Sequence, residues 1–267
     1  MANQWYTAEK WPMAAKALAL EEQEERNCVG CTGISMCRNQ VKGSRQVVIP
    51  HNPMFPQRGP VTAIRMCEFG RVAQFEARMK GGIERSGIGD RFMGRTFDSW
   101  VHVPELAAAF AAVYGYAAKL RNDMDGQRSS LLLMGPVGVG KTHLAAATLF
   151  TAIGKGMIAY YTPAPDFLTK YSASFQDRTT MDLIDSMATC EFLLLDDLGK
   201  EKASDTALPL IFQVINSRYE SMLPTVITTN LTMADIKKNY GDAVQSRLLE
   251  MCQIVTMSGE DYRRKAI

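Results

Sequence analysis

The sequence predicts an α/β fold, a parallel sheet flanked by helices and built around a phosphate-binding loop. Three observations predict it. The apolar run Leu131–Met134 reads as a buried strand that stops at Gly135, and Gly138, Gly140, Lys141 and Thr142 complete the spacing G-x-x-x-x-G-K-T before an alanine-rich helix. Downstream, apolar runs alternate with amphipathic stretches, the pattern of strands crossing over through helices into a parallel arrangement. One of those runs, Phe192–Leu195, ends in the paired carboxylates Asp196 and Asp197.

The loop carries the most specific chemistry. Glycines let the backbone turn tightly enough to aim successive N–H groups at one point, and the helix N-terminus adds its dipole. Residues Gly135, Pro136, Val137, Gly138, Val139, Gly140, Lys141, Thr142 and His143 are therefore the expected nucleotide cradle. Lys141 is expected to reach the β- and γ-phosphates, and the Thr142 hydroxyl to ligate Mg²⁺. At the end of the acidic strand, Asp196 is expected on the metal and Asp197 on the attacking water. A second apolar strand, Val226–Thr229, ends in Asn230, which in such a sheet lies next to the acidic pair and can orient water near the γ-phosphate.

Further strands are expected at Met157–Thr162, Glu191–Leu195 and Gln253–Met257. Helices are expected near Pro104–Arg121, Ala164–Ser174, Met181–Ala188, Ala203–Met222, Ala234–Asn239 and Ala243–Met251. Arg218, Arg247 and Arg263 are the late guanidinium groups able to meet a transferring phosphoryl, although a surface arginine is more often bland.

Composition bounds the remainder. The chain has 267 residues, 46% of them hydrophobic, and a formal charge of +2, enough for a large core plus a small module and too balanced to dictate a partner. No run of about 18 apolar residues and no signal-peptide pattern occurs, so a soluble cytoplasmic protein without a membrane partner is expected.

Four of the six cysteines, Cys28, Cys31, Cys37 and Cys67, lie in the first quarter of the chain. A C-x2-C turn sets two thiolates at adjacent corners of a Zn²⁺ tetrahedron, and two later ligands close it. His51 competes with Cys37 for one place, and the four-cysteine set is favoured. Arg38, Lys42, Arg45, Arg58 and Arg65 accompany this stretch with no acidic residue between Cys28 and Cys67, a basic face suited to phosphate, to an acidic partner or simply to water. Before it, Trp5, Tyr6 and Trp11 lead into a helix with an acidic end, read as packing or as a docking helix. The stripe Phe69, Val72, Phe75, Met79 and Ile83 predicts a packing helix that Gly87 and Gly89 end. The expected organisation is a cysteine-rich, helical, zinc-binding module at 1–85, a linker at 86–96 and the nucleotide domain at 97–267.

The motif set Gly-Pro-Val-Gly-Val-Gly-Lys-Thr-His-Leu-Ala, Leu-Leu-Leu-Asp-Asp-Leu-Gly, Ile-Asn-Ser-Arg-Tyr, Thr-Thr-Asn-Leu and Gln-Ser-Arg-Leu resembles the AAA+ ATPases. Within them it is similar to the bacterial and phage replicative-helicase loaders of the DnaC/DnaI type. Arg91 to Phe97 resembles the segment that precedes their ATPase core, and the cysteine-rich start is similar to the zinc-bearing domain of the DnaI branch. The resemblance implies slow ATP hydrolysis stimulated by DNA or a partner, and a hexameric replicative helicase held by the N-terminal module. It also implies self-association through the ATPase domain and contact with single-stranded DNA, for which Lys170, Tyr171, Ser172 and Arg178 are candidates. By motif, Lys141 and Thr142 are Walker A, Asp196 and Asp197 Walker B, Asn230 sensor 1, and Arg247 the arginine finger acting on the adjacent protomer. Arg263 matches a sensor-2 arginine loosely, Arg218 matches an arginine near the subunit interface, and a C-terminal lid domain is expected to be missing. A transposition ATPase of the IstB type shares almost the whole core and is the rival reading. A pure switch that binds nucleotide and barely hydrolyses it is another.

Overall fold

A computed structural model describes residues 44–49, 61–66, 68–121, 129–167, 169, 180–200 and 207–262. The chain divides into two compact units, Met1–Lys80 and Gly81–Ile267.

In the first unit, β1 (Ser44–Ile49) and β2 (Val61–Met66) form an antiparallel pair with Ser44 opposite Met66 and Ile49 opposite Val61. The sequence reading expected only helices in this module. The two segments, Ser-Arg-Gln-Val-Val-Ile and Val-Thr-Ala-Ile-Arg-Met, are rich in β-branched residues, which favour a pleated surface. The four expected zinc cysteines and His51 lie outside the described residues. Helix α1 (Glu68–Ser86) follows and buries Phe75, Met79 and Ile83, while Val72 stays exposed.

The second unit is organised by five parallel strands in the order β4-β5-β6-β3-β7. These are β3 (Ser130–Met134), β4 (Ala159–Pro163), β5 (Phe192–Leu198), β6 (Thr225–Thr229) and β7 (Cys252–Thr256). Their continuous apolar runs fit a sheet covered on both faces, and Leu131, Leu132 and Leu133 are wholly buried. The covering helices are α2 (Ala107–Lys119), α3 (Lys141–Gly154), α4 (Thr180–Thr189), α5 (Ala207–Glu220) and α6 (Met233–Met251). Helix α3 is buried from Leu144 to Gly154, which its Ala-Ala-Ala-Thr-Leu-Phe sequence allows because small residues bring it close to the strands.

The expected break between Asn239 and Ala243 is present inside α6. Gly241 adopts φ +87 and ψ 169, so two helical segments meet at a kink. Thr232 caps the first through a reciprocal capping box with Asp235. The expected helix at Pro104 begins as a 3-10 turn, Pro104–Leu106, before α2.

Residues 86–96, expected as a linker, are packed within the second unit. The Ser86 hydroxyl donates to the Ile83 carbonyl, Ile88 and Thr96 are buried, and the Phe92 ring meets Tyr161 at 5.6 Å. The glycines that end α1 start a short 3-10 turn, Asp90–Phe92, rather than a free tether.

Candidate nucleotide site

Parallel strands bring their carboxyl ends to one edge of the sheet, where crevices form. Because β6 lies between β3 and β5, the phosphate-loop strand and the acidic strand flank the strand that ends in Asn230. Residues predicted from three separate motifs are thereby assembled in one cleft of about 700 Å³, lined among others by Gly138–Thr142, Asp196, Asp197 and Asn230.

The loop itself needs its glycines. Gly138 and Gly140 have φ of +81 and +100, a region that costs residues with a Cβ. A Cβ on Gly140 would also lie 2.6 Å from the Trp100 ring, and one on Gly135 2.1 Å from the Met257 carbonyl oxygen. Lys141 is 5% exposed, and its Nζ donates to the Gly135 carbonyl at 2.8 Å, to the Pro136 carbonyl at 2.7 Å and to Asn230 Oδ1 at 2.7 Å. All three acceptors are neutral, so a polyphosphate entering the loop offers the ammonium a stronger, charge-assisted partner.

Asp196 is buried, 3% exposed, and its Oδ1 accepts hydroxyl hydrogens from Thr142 at 3.0 Å and Thr228 at 2.6 Å. Burial, opposed by the Thr228 hydrogen bond and reinforced by the charge of Asp197, holds its carboxyl above the usual range. A buried carboxylate bonded to hydroxyls, one of them on the phosphate loop, and with no ion-pair partner among the described residues, fits a divalent cation held jointly by Thr142 and Asp196.

Asp197 has the left-handed φ of +58, set where β5 shifts register against β6 between Leu195 and Leu198. Its N–H donates to the Thr228 hydroxyl at 2.9 Å, and its Oδ2 accepts from Lys200 Nζ at 2.8 Å. Thr228 thus ties the two acidic residues together. Sequence reading passed over it, although its signal was there: a Thr-Thr pair immediately before the strand-end Asn230.

The cleft also holds Trp100 and Lys200, which no motif singled out. Trp100 is buried against Gly140, edge-on to His143 at 5.2 Å and stacked on Phe110 at 6.1 Å. The His143 Nε2 lies 2.8 Å from the Thr96 carbonyl, which places its proton on that nitrogen. Burial lowers the His143 pKa below its ordinary value, the Thr96 hydrogen bond opposing. His143 lines the cleft, but its bond to Thr96 makes it a brace between the loop helix and the 91–97 segment. Arg91, Arg95 and Lys200 line the cleft as well, together with Ser258–Glu260 and Tyr262, whose N–H donates to the Gly138 carbonyl at 3.2 Å.

The arginines divide. Arg247 does not line the cleft of its own chain. Its Nε donates to Asn216 Oδ1, and its guanidinium lies over Phe212 at 5.0 Å and Tyr219 at 5.5 Å. Arg218 corrects an expectation. Matched to an interface arginine, it is instead fully buried and spends its donors on Thr225 Oγ1, the carbonyls of Met187, Cys190 and Pro224, and the Cys190 thiol. A guanidinium enclosed this way cannot face another subunit. Lys170, Tyr171, Ser172, Arg178 and Arg263 lie outside the described residues. Among the described residues no helix is long and apolar enough to cross a membrane.

Comparison with known proteins agrees with this geometry. The crystal structure of the DnaC helicase loader superposes with a TM-score of 0.57 at 26% identity, covering 63% of this chain and 99% of that one, and the second unit shares its AAA+ fold. The replicative helicase loader DnaI of Bacillus subtilis is 23% identical over 257 residues, 90% of this chain and 80% of that protein. An ATP-binding protein of insertion sequence IS5376 from Geobacillus stearothermophilus is 30% identical over 142 residues, 51% of this chain. The match spans 56% of that relative, just over half its length. Residues 123–267, more than half of the chain, match the family model of the IstB-like ATP binding proteins, and the chain belongs to that family.

Proposed function

We propose that the protein is an ATP-hydrolysing helicase loader, which binds a hexameric replicative helicase and delivers it to single-stranded DNA. The observation that carries the choice is the extent of similarity. The likeness to the DnaI loader runs over 90% of the chain, and that to the insertion-sequence ATP-binding protein over 51%. That longer likeness to DnaI supports reading the N-terminal part of the chain with the loaders, while the nucleotide core is common to both.

The chemistry follows from the cleft. Lys141 exchanges its carbonyl and Asn230 partners for the β- and γ-phosphates. Thr142 and Asp196 would hold Mg²⁺, which would supply charge neutralisation at the phosphates. Asp197 polarises the attacking water, and Asn230, freed from Lys141, orients it. Arg247, turned away from its own cleft, reaches the γ-phosphate of an adjacent protomer, so hydrolysis depends on self-association. Cys28, Cys31, Cys37 and Cys67, which lie outside the described residues, would hold Zn²⁺ in the N-terminal module.

The test is to mix the full-length protein with a bacterial replicative helicase, with and without ATP, and to measure complex mass by light scattering. The expected result is a large complex that Cys28→Ser with Cys31→Ser abolishes, and bound zinc that the same pair releases. The second reading, a transposition ATPase, is favoured by the family match itself. It replaces the first if no helicase complex forms and ATP drives assembly on duplex DNA.

A further inference from the structure

We propose that Lys200 is a built-in restraint on ATP hydrolysis: its ion pair with Asp197 occupies one oxygen of the water-polarising carboxylate and holds that oxygen away from the attacking water. The restraint rests on the ATP-site reading above. It is released when a competing anion draws the ammonium away.

The pair is not a chance meeting of two surface side chains. The turn that presents Lys200 is tied to the neighbouring strand by two hydrogen bonds and closed by a third of its own. The Asp197 N–H is held by the Thr228 hydroxyl, the Leu198 carbonyl accepts from the Thr229 hydroxyl at 2.6 Å, and the Lys200 N–H closes onto the Asp197 carbonyl at 3.2 Å. Gly199 turns the chain with φ +98, and the space its Cβ would occupy belongs to Leu231, 2.5 Å away. The backbone therefore delivers Lys200 Nζ to 2.8 Å from Asp197 Oδ2 at the rim of the nucleotide cleft.

A carboxylate oxygen that accepts from an ammonium is withdrawn from the attacking water. The lysine and aspartate side chains are 44% and 29% exposed, so the pair is weak and open to exchange. An isolated buried pair would be permanent, whereas one exposed to this extent can be lost to a carboxylate of a neighbouring chain. Lys200 acts through Asp197 and is a positioning residue, not a catalytic one.

Steady-state ATP hydrolysis at saturating ATP tests this on the full-length protein, comparing Lys200→Ala, Lys200→Arg, Asp197→Asn and Lys141→Ala. Lys200→Ala is expected to raise kcat about three- to fivefold with KM unchanged within about twofold. Fivefold corresponds to about 1 kcal/mol, the ceiling for an exposed pair. Lys200→Arg, which keeps the charge, is expected to hydrolyse as the unaltered protein does. Raising salt from about 0.05 to about 0.3 M screens the pair, so kcat of the unaltered protein is expected to rise while that of Lys200→Ala stays flat. An unchanged or lowered kcat in Lys200→Ala, with hydrolysis still abolished by Lys141→Ala and Asp197→Asn, overturns the restraint alone. Hydrolysis that survives both of those substitutions overturns the site reading and the restraint with it.

Discussion

The two ends of the central sheet gather polar groups in opposite ways. At the carboxyl end, Lys141, Asp196, Asp197 and Asn230 surround open space, and Lys141 is held by neutral acceptors that a phosphate can replace. At the amino end, Arg218 joins the start of β6 to the segment leading into β5, with every acceptor an immovable part of the fold, and Ser130 at the start of β3 accepts the Thr225 N–H. Both ends contain a buried cation. The carboxyl end has a cavity beside its cation. Charge and burial alone therefore mark neither function nor structure; what separates them is whether the partners can be exchanged.

The sharpest way to break this comparison is at the amino end. Arg218→Ala strips hydrogen bonds from Thr225, Met187, Cys190 and Pro224 in the interior and leaves a void, so a stability loss of about 3–5 kcal/mol is expected in denaturant unfolding. ATP affinity of the molecules that remain folded is expected to hold. Next in size, Lys141→Ala should leave the unfolding midpoint almost in place and weaken ATP about 100-fold, near 2.7 kcal/mol, in equilibrium dialysis. If Arg218→Ala weakened ATP as much as Lys141→Ala, the division between the two ends would be wrong.

The smallest effect sharpens the comparison from within the cleft. Asp196 has a raised pKa, so the folded state binds its proton more tightly than the unfolded chain does. The cost of ionising it in the fold is absent at pH below the ordinary 3.8, grows as pH rises toward the folded value, and is full above it. Asp196→Asn should accordingly raise the melting temperature of the nucleotide-free protein near neutral pH, leave it unchanged in strong acid, and abolish the Mg²⁺ dependence of ATP binding. His143 runs the other way. With its pKa lowered by burial, it withdraws stability as pH falls below its ordinary 6.5.

These sites were unequally legible. Strand β6 is where its apolar run was read, and the other strands of the sheet begin or end within a few residues of their expected positions, because a buried parallel strand announces itself by composition. The loop, Asp196, Asp197 and Asn230 were readable because each sits at a fixed offset from such a run. Trp100 and Lys200 were not, since they act through packing or through a neighbour and nothing local distinguishes them, whereas Thr228 carried a signal in the Thr-Thr pair before Asn230. Arg218 was misread for the converse reason. A motif match carries a residue's identity, while its burial depends on α4, α5, β5 and β6 closing over it. The antiparallel pair β1 and β2 was less legible because each run is six residues long and mixes charged or polar residues with its β-branched ones.

One packing contact has an optical consequence. Trp100 touches the phosphate loop at Gly140 and stands edge-on to His143, so any shift of the loop on taking up nucleotide changes the surroundings of its indole. The chain has three tryptophans, and the other two, Trp5 and Trp11, belong to the N-terminal unit. With those replaced by phenylalanine, the intrinsic emission of a single indole becomes a direct, label-free readout of site occupancy in time-resolved mixing.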